Sequence, residues 1–165
     1  MGALTAARQI KQTNPDYLDS VGLDTNVIVY HGAMASKADD ASGYAHPATA
    51  TAGDVVLGIF DLIENTNSPA SGQAPLTPDV SQTKRDMTGV TAGTKSCQIR
   101  RGSFEFENKS GDLVTDQHIG LPVYVENDQT VRATGAGSIV AGTLMGFHPR
   151  SGKPMVEVGG SGRGL

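Results

Sequence analysis

Histidines, nucleophiles and carboxylates are the residues whose types could support catalysis or metal binding in this chain. The four histidines, His31, His46, His118 and His148, lie singly near predicted turns. Their spacing matches no zinc motif, because such motifs repeat their ligands at short separations, as in His-Glu-x-x-His. We therefore interpret the histidines as solvated side chains, and the sequence predicts no metal site.

Nucleophilic and acid–base catalysis also lack a candidate. The Gly-x-Ser-x-Gly elbow of hydrolases does not occur, and the single cysteine, Cys97, lies in an alternating strand pattern that is typical of a buried structural thiol. The acidic pairs Asp39-Asp40 and Glu126/Asp128 lie in predicted turns, where carboxylates usually serve turn geometry and solubility. We therefore expect no catalytic residues and no enzyme.

Two glycine-rich stretches resemble phosphate-binding motifs but depart from them. In 146–153 the gap between the glycines is one residue too long for a P-loop, and Pro154 stands where the magnesium-binding hydroxyl would be. In 135–140, Val140 occupies the third glycine position of a dinucleotide fingerprint, and a strand follows instead of a helix. The sequence therefore predicts no cofactor.

Charge and hydropathy argue against two further classes of partner. The chain has 13 Lys and Arg against 17 Asp and Glu, a net charge of -4 that leaves no basic excess to neutralise a nucleic-acid backbone. Its apolar runs are far shorter than the roughly 18 residues of a membrane span, and no secretory signal is visible. We therefore expect synthesis in a cytoplasm, with neither nucleic acid nor membrane as a partner.

The elements that would position these residues are short strands. The chain has 165 residues, and its 21 glycines separate roughly eight apolar or alternating runs. The longest apolar run, 54–63, is broken by Gly58, which inside a strand indicates a bulge or a close backbone approach. The sequence also predicts a hairpin over 122–133 and one helical turn between the N-cap Thr115 and Gly120.

We therefore predict an all-β fold, a small β-barrel or β-sandwich over 23–158. An extended N-terminal arm covers 1–22, and a flexible glycine-rich tail covers 159–165. A long inserted polar loop, 65–95, is about twice the roughly 12–15 residues that unstructured loops rarely exceed in compact domains. Loops of that length are usually functional, so we expect the arm and the loop to contact other molecules.

An ordered series of strand and turn motifs runs through two stretches of the chain, 25–64 and 96–158. The motifs include Thr25-Asn26-Val27-Ile28-Val29-Tyr30-His31-Gly32, Asp54-Val55-Val56-Leu57-Gly58-Ile59, Ile99-Arg100-Arg101-Gly102-Ser103-Phe104, Leu121-Pro122-Val123-Tyr124-Val125-Glu126 and Val140-Ala141-Gly142-Thr143-Leu144-Met145-Gly146. In this order they resemble small capsid cement (head decoration) proteins of tailed bacteriophages. The long inserted loop and the extended arm depart from that family.

The resemblance implies a virion structural protein, made in the host bacterial cytoplasm, that sits as a homotrimer on the outer surface of the capsid and clamps neighbouring copies of the major capsid protein. Candidate contacts with the capsid or between subunits are Arg8, Ile10, Tyr17, Leu18, Leu76, Val80, Met87, Val90, Arg100 and Arg101. Arg100 and Arg101 are adjacent. The plainer interpretation is that one of them is exposed and the other lies at a strand end. The alternative is that they form an ion pair across a subunit interface.

Two other functions remain open at this point. One is another phage structural module, such as a tail-tube, head-completion or fibre-attachment protein. The other is an enzyme or a ligand-binding barrel, which a metal or nucleotide bound at one equivalent per chain would favour.

Overall fold

A computed structural model describes residues 17–39, 43–62 and 84–160, and the structural statements below concern these residues. Strands dominate this part of the chain, whose single helical segment is the 3-10 turn Asp116–His118. The strands are β1 (Tyr17–Gly22), β2 (Ile28–Tyr30), β3 (Met34–Ala38), β4 (His46–Pro47), β5 (Asp54–Asp61), β6 (Lys84–Asp86), β7 (Ser96–Arg100), β8 (Gly102–Glu105), β9 (Glu107–Asn108), β10 (Pro122–Asn127), β11 (Thr130–Arg132), β12 (Val140–Phe147) and β13 (Pro154–Val158).

The strands form three sheets. A five-stranded sheet has the order β1-β7-β5-β3-β4, a six-stranded sheet has the order β8-β13-β12-β10-β11-β9, and β2 pairs with β6. All pairings are antiparallel except that of β9 with β11. The all-β prediction is confirmed, and because the sheets do not close into a barrel the fold is sandwich-like.

Two hydrophobic cores hold the three sheets together. The first lies between the five-stranded and six-stranded sheets and includes Ile59 of β5 and Val123 of β10. The second includes Phe60 of β5 together with Val29 of β2 and Met87, which follows β6. Successive residues of a strand point to opposite faces, so β5 supplies both cores. This double burial explains why β5 carries apolar residues on both faces between Val55 and Phe60.

Gly58 makes the close approach that its position in an apolar strand predicts. Its φ is +151°, and the pairing of β3 with β5 shifts register between Ala35 and Ser36, where Gly58 and Val56 are the partners.

The predicted hairpin is likewise confirmed as β10 and β11. The turn Asp116–His118 follows Thr115 as predicted.

Three predicted boundaries differ from the structure. The end of the predicted arm, Tyr17–Gly22, is the edge strand β1, because Leu18 and Val21 pack against the second core. The end of the predicted loop is also folded, since Lys84–Asp86 pairs with β2. Gly159, in the predicted tail, packs closely against Leu57. Residues 1–16, 63–83 and 161–165 lie outside the described part of the chain.

Candidate functional site

The residues predicted to contact partners are divided between the described and the remaining parts of the chain. Those outside the described residues are Arg8, Ile10, Leu76 and Val80. Tyr17 begins β1, where its backbone lies opposite Arg100 of β7. The structure therefore places the start of β1 and the end of β7 side by side at one edge of the five-stranded sheet.

Three of the candidates lie at the second core. Met87 is fully buried, at 0% exposure, so in this fold it stabilises its own chain and does not reach a partner, contrary to the prediction. Leu18 and Val90 are partly buried and pack against the same core. The scattered apolar residues near the end of the predicted loop are therefore explained by packing within the chain.

The adjacent arginines have different environments. Arg100 is exposed, and its guanidinium carbon lies 5.9 Å from the centre of the Phe104 ring, within cation–π range. Arg101 is partly buried, and its Nη1 donates to the carbonyl oxygen of Gly159 at 3.4 Å. This arrangement agrees with the plainer interpretation of one exposed arginine and one at a strand end.

The histidines have defined partners, and the side chains of His31 and His148 are 39% and 35% exposed, so these two are solvated as predicted, whereas His46 is 22% exposed. Three lie near carboxylates: His31 Nδ1 is 3.5 Å from Asp61 Oδ1, His46 Nε2 is 3.3 Å from Asp54 Oδ2, and His148 Nδ1 is 3.1 Å from Glu105 Oε1. His118 Nδ1 accepts from the backbone N–H of Thr115 at 3.0 Å and caps the 3-10 turn. Among the described residues, no three His, Cys, Asp or Glu side chains are grouped to hold a metal ion.

Ser36, His46 and Asp54 form one Ser–His–carboxylate cluster. The Ser36 hydroxyl lies 3.4 Å from His46 Nδ1 and donates to Asp54 Oδ2 at 3.5 Å. Ser36 is fully buried, so its hydroxyl cannot reach a substrate in this fold. The cluster joins β3, β4 and β5, and we interpret it as a cross-strand contact that satisfies a buried hydroxyl.

Glu105, His148 and Ser151 form a second such cluster at the surface. His148 Nδ1 is 3.1 Å from Glu105 and 3.2 Å from the Ser151 hydroxyl, so both partners use the same ring nitrogen. A catalytic triad needs the serine and the carboxylate on different nitrogens, because the base must take a proton at one while it is held at the other. This cluster instead fastens the loop between β12 and β13 to β8.

A small polar cavity lies beside this second cluster. Its volume is about 170 Å³, and its lining includes Glu105, Phe106 and Gln129. Typical small-molecule sites have volumes of roughly 300–1,000 Å³ and mostly apolar walls. At its edge Lys153 donates to Glu107, and this hydrogen bond raises the pKa of the lysine. An internal ion pair therefore forms part of the cavity wall.

Cys97 is a buried thiol, as its strand pattern predicts. Burial raises its pKa to about 11, which leaves almost no thiolate at neutral pH. Since the thiolate is the nucleophile, Cys97 is unsuited to nucleophilic chemistry in the folded protein.

Four of the eight exposed large hydrophobic side chains in the described residues lie in β12 or in the segment that leads into β10. These four, which we call the outer stripe, are Ile119 (50% exposed), Leu121 (51%), Val140 (49%) and Met145 (54%). Val140 and Met145 belong to β12, whose inward residue Leu144 is fully buried. The Gly120 N–H donates to the Leu144 carbonyl at 2.8 Å, and the Leu144 N–H donates to the Leu121 carbonyl at 3.1 Å. These bonds place the backbone of Gly120 and Leu121 beside Leu144, the chain neighbour of Met145.

The outer stripe was missed by reasoning from the sequence, which sought contact residues in the arm and the loop. A signal is present in the sequence. Leu144-Met145 places two large apolar residues on opposite faces of one strand, and Ile119 and Leu121 flank a turn glycine. When a strand carries apolar residues on both faces, each face is expected to be covered, either by the rest of the chain or by another molecule.

No protein-family model, curated protein or solved structure matches this chain. In the described residues, no helix is long and apolar enough to span a membrane. Function is therefore inferred from the residues and the geometry of this chain.

Proposed function

We propose that this chain is a bacteriophage capsid decoration (cement) protein. It binds the outer surface of the major capsid protein lattice as a homotrimer and stabilises the head. The ordered resemblance of 25–64 and 96–158 to that family carries the proposal. These two segments supply all the strands except β1 and β6, so the resemblance extends over most of both cores.

The architecture supports a structural role. Cementing needs no reacting group, only a firm scaffold whose surfaces touch several neighbours. Here the five-stranded sheet packs against a core on each of its faces. The outer stripe adds four large hydrophobic side chains that are about half exposed and that a neighbouring molecule could cover.

The attachment points of the two predicted contact segments also support it. Residues 1–16 lead into β1 at the edge of the five-stranded sheet, and residues 63–83 connect β5 to β6. A segment that becomes ordered on binding loses entropy but covers a wide surface. Three arms and three loops per trimer would add avidity, because each contact holds the others at high effective concentration.

Charge is consistent with a position outside the shell. The chain carries a net charge of -4 and has no basic excess. A protein on the outer surface has no need to neutralise the phosphates of the packaged DNA.

To test the proposal, purified protein is mixed with heads of its own phage from which this protein is missing. We expect saturable binding in sedimentation, density on the outer capsid surface by cryo-EM, and a higher temperature of head rupture. A β-protein of similar size and charge serves as the control. Protein that neither binds nor stabilises heat-stressed or chelator-stressed heads would refute the proposal. Density confined to the tail or the portal would instead favour another phage structural module.

A further inference from the structure

We propose that the open edge of β8 is the docking site of residues 12–16 of the same chain, which extend β1 along β8. The occupant is a segment that lies outside the described residues and leads directly into β1. The inference goes beyond the proposed function and does not depend on it.

The two large sheets meet at a corner made by one run of chain. β7 ends at Arg100 and β8 begins at Gly102, so a single residue separates a strand of the five-stranded sheet from a strand of the six-stranded sheet. Gly102 has a positive φ of +144°, a conformation that favours glycine, and it marks the bend. On one side of this run, β5 pairs with β7 and β13 pairs with β8.

β5 and β13 lie on the same side of the run. Gly159, the residue after β13, packs closely against the Leu57 carbonyl of β5, so β13 takes the place of β5 where the run bends. β1 pairs with β7 on the opposite side. That side continues into the second edge of β8, and within the described part of the chain no strand pairs with this edge.

The backbone groups of Ser103 and Glu105 face the open edge. The Phe106 N–H donates to the Pro154 carbonyl at 3.0 Å, so the backbone of Phe106 faces β13. In an antiparallel strand, successive residues direct their N–H and C=O groups to opposite sides, so the two residues of odd number face away from β13. Natural proteins cover or blunt such an edge, because its free groups pair with other chains.

The register of β1 carries residues 12–16 to this edge. β1 runs antiparallel to β7, with Tyr17 opposite Arg100. Five extended residues before Tyr17 cover roughly 17 Å, which is enough to follow β8 over its four residues. Continued backward, the same register gives three pairs on the open side: Asp16 with Arg101, Asn14 with Ser103 and Gln12 with Glu105.

Pro15 is compatible with this position. The register places Pro15 opposite Gly102, which pairs with Val158 and directs its backbone groups to β13. The proline nitrogen therefore faces away from β8, and its missing N–H removes no bond from the pairing. Edge strands are the part of a sheet in which proline is accepted.

The alternation of residues 12–16 also matches the two faces of β8. Ser103 and Glu105 are exposed, and the residues opposite them, Asn14 and Gln12, are polar. Phe104 is partly buried and packs against the first core, and the residue opposite it is Thr13, which favours strands. Residues directly opposite one another share a face, so this pairing puts the polar side chains in water.

Docking of 12–16 shortens the part of the predicted arm that reaches other molecules. The segment left for such contacts is 1–11, which contains the candidate residues Arg8 and Ile10. It leaves the folded domain at the far end of β8, beside Glu105.

Amide exchange measured by NMR on purified full-length protein, without capsids, tests the pairing. We expect the Ser103 and Glu105 N–H groups to exchange at least tenfold more slowly than unpaired amides. Asn14→Pro should abolish this protection, because it removes an N–H that donates to β8. Thr13→Pro is the matched control and should keep it, since the N–H of Thr13 faces away from β8. Unprotected amides in the wild type, or equal protection in the two variants, would overturn the inference.

Paired cysteines identify the occupant of the edge. Directly opposite residues of an antiparallel pair have Cα atoms about 5.5 Å apart, within disulfide range. Under mild oxidation at high dilution, Asn14→Cys/Ser103→Cys should form a disulfide within one chain. Thr13→Cys/Ser103→Cys is the control, because it places the two thiols on opposite faces, and it should react more slowly. The native Cys97 is buried and contributes no background.

Three results of these experiments would contradict the inference. Disulfides that link two chains would assign the edge to a second copy, and protection of Ser103 that appears only on capsids would assign it to a capsid segment. Equal rates in the two cysteine pairs would contradict the register. The exchange and disulfide experiments on free protein contain no capsids, so their failure leaves the proposed function standing, and failure of head binding leaves the docking of 12–16 standing.

Discussion

Gly58 of β5 lies directly against the backbone of Arg100 in β7: a β-carbon on Gly58 would be 2.4 Å from the Arg100 carbonyl oxygen. The contact lies within the five-stranded sheet, where Ile59 and Arg100 are register partners. Since backbone cannot move aside as a flexible side chain can, only glycine fits at position 58. The spacing between β5 and β7 therefore depends on the absence of a side chain at position 58.

Gly58→Ala is expected to destabilise the protein by about 3 kcal/mol, since it combines backbone strain with overpacking. The control is Gly53→Ala, because Gly53 also has a positive φ, +92°, but a β-carbon there would meet no atom within 4 Å. That control should cost only about 1 kcal/mol. Urea unfolding measures both, and equal losses would contradict the close-contact explanation.

Asn108 is expected to be a stabilising side chain of the loop before the 3-10 turn. Its Nδ2 donates to the Val114 carbonyl and its Oδ1 accepts from the Val114 N–H, both at 2.8 Å. Asn108→Ala should cost about 2 kcal/mol, because it leaves two partly buried backbone groups unpaired. Asn127→Ala is the control, since Asn127 is exposed and its side chain accepts one bond, from the Gln129 N–H. Thermal unfolding should show the larger loss for Asn108.

Acid should destabilise the fold partly through Asp112. A hydrogen bond from the Thr134 hydroxyl is the main cause that lowers the pKa of this carboxyl below its usual 3.8. A lowered pKa stabilises the folded state above the unfolded value, and that contribution is lost as the pH falls through the folded value. We therefore expect Thr134→Val to lose stability at pH 7 and to differ less from wild type at pH 2. A constant difference in urea midpoint between pH 7 and pH 2 would contradict this linkage.

Cys97 should react with thiol reagents only after unfolding. Its pKa is raised from 9.0 to about 11, so near pH 8 its thiolate population is about a hundredfold lower than that of an ordinary thiol. Burial also blocks access of the reagent. We expect alkylation of native protein to be at least a hundredfold slower than in urea, as measured by mass spectrometry. Met145→Cys provides an exposed thiol in the same fold, and equal rates at the two positions would contradict the prediction.

Proteolysis should distinguish free from capsid-bound protein if the proposed function is right. We expect cleavage of the free protein to begin within 1–16 and 63–83, the parts of the predicted arm and loop that lie outside the described strands. The same sites should be protected on capsids. Residues 84–95 should resist in both states, because Lys84–Asp86 pairs with β2 and Met87 is buried. Equal cleavage of 1–16 and 63–83 in the free and the capsid-bound protein would contradict the proposal that these segments contact the capsid.

Local chemistry made several features predictable from the sequence. Thr115 and Gly120 bound the 3-10 turn, and the polar residues at 127–129 connect the hairpin, because caps and turns depend on neighbours in the chain. Alternation indicated that Cys97 is buried. The same local rules predicted the all-β class, since short alternating runs between turn residues have few other stable forms.

Long-range pairing decided the features that the sequence left open. In the sequence, Met87 stands among polar residues. It is a core residue because β6 pairs with β2, which places the residue after β6 against the second core. The carboxylate partners of the histidines likewise come from other strands or loops.

The outer stripe shows the same division. Its residues are plainly apolar in the sequence, but whether each face of β12 is covered depends on how the sheets stack. Alternation along a strand determines which residues share a face, and only the stacking of the sheets determines which of those faces meets water.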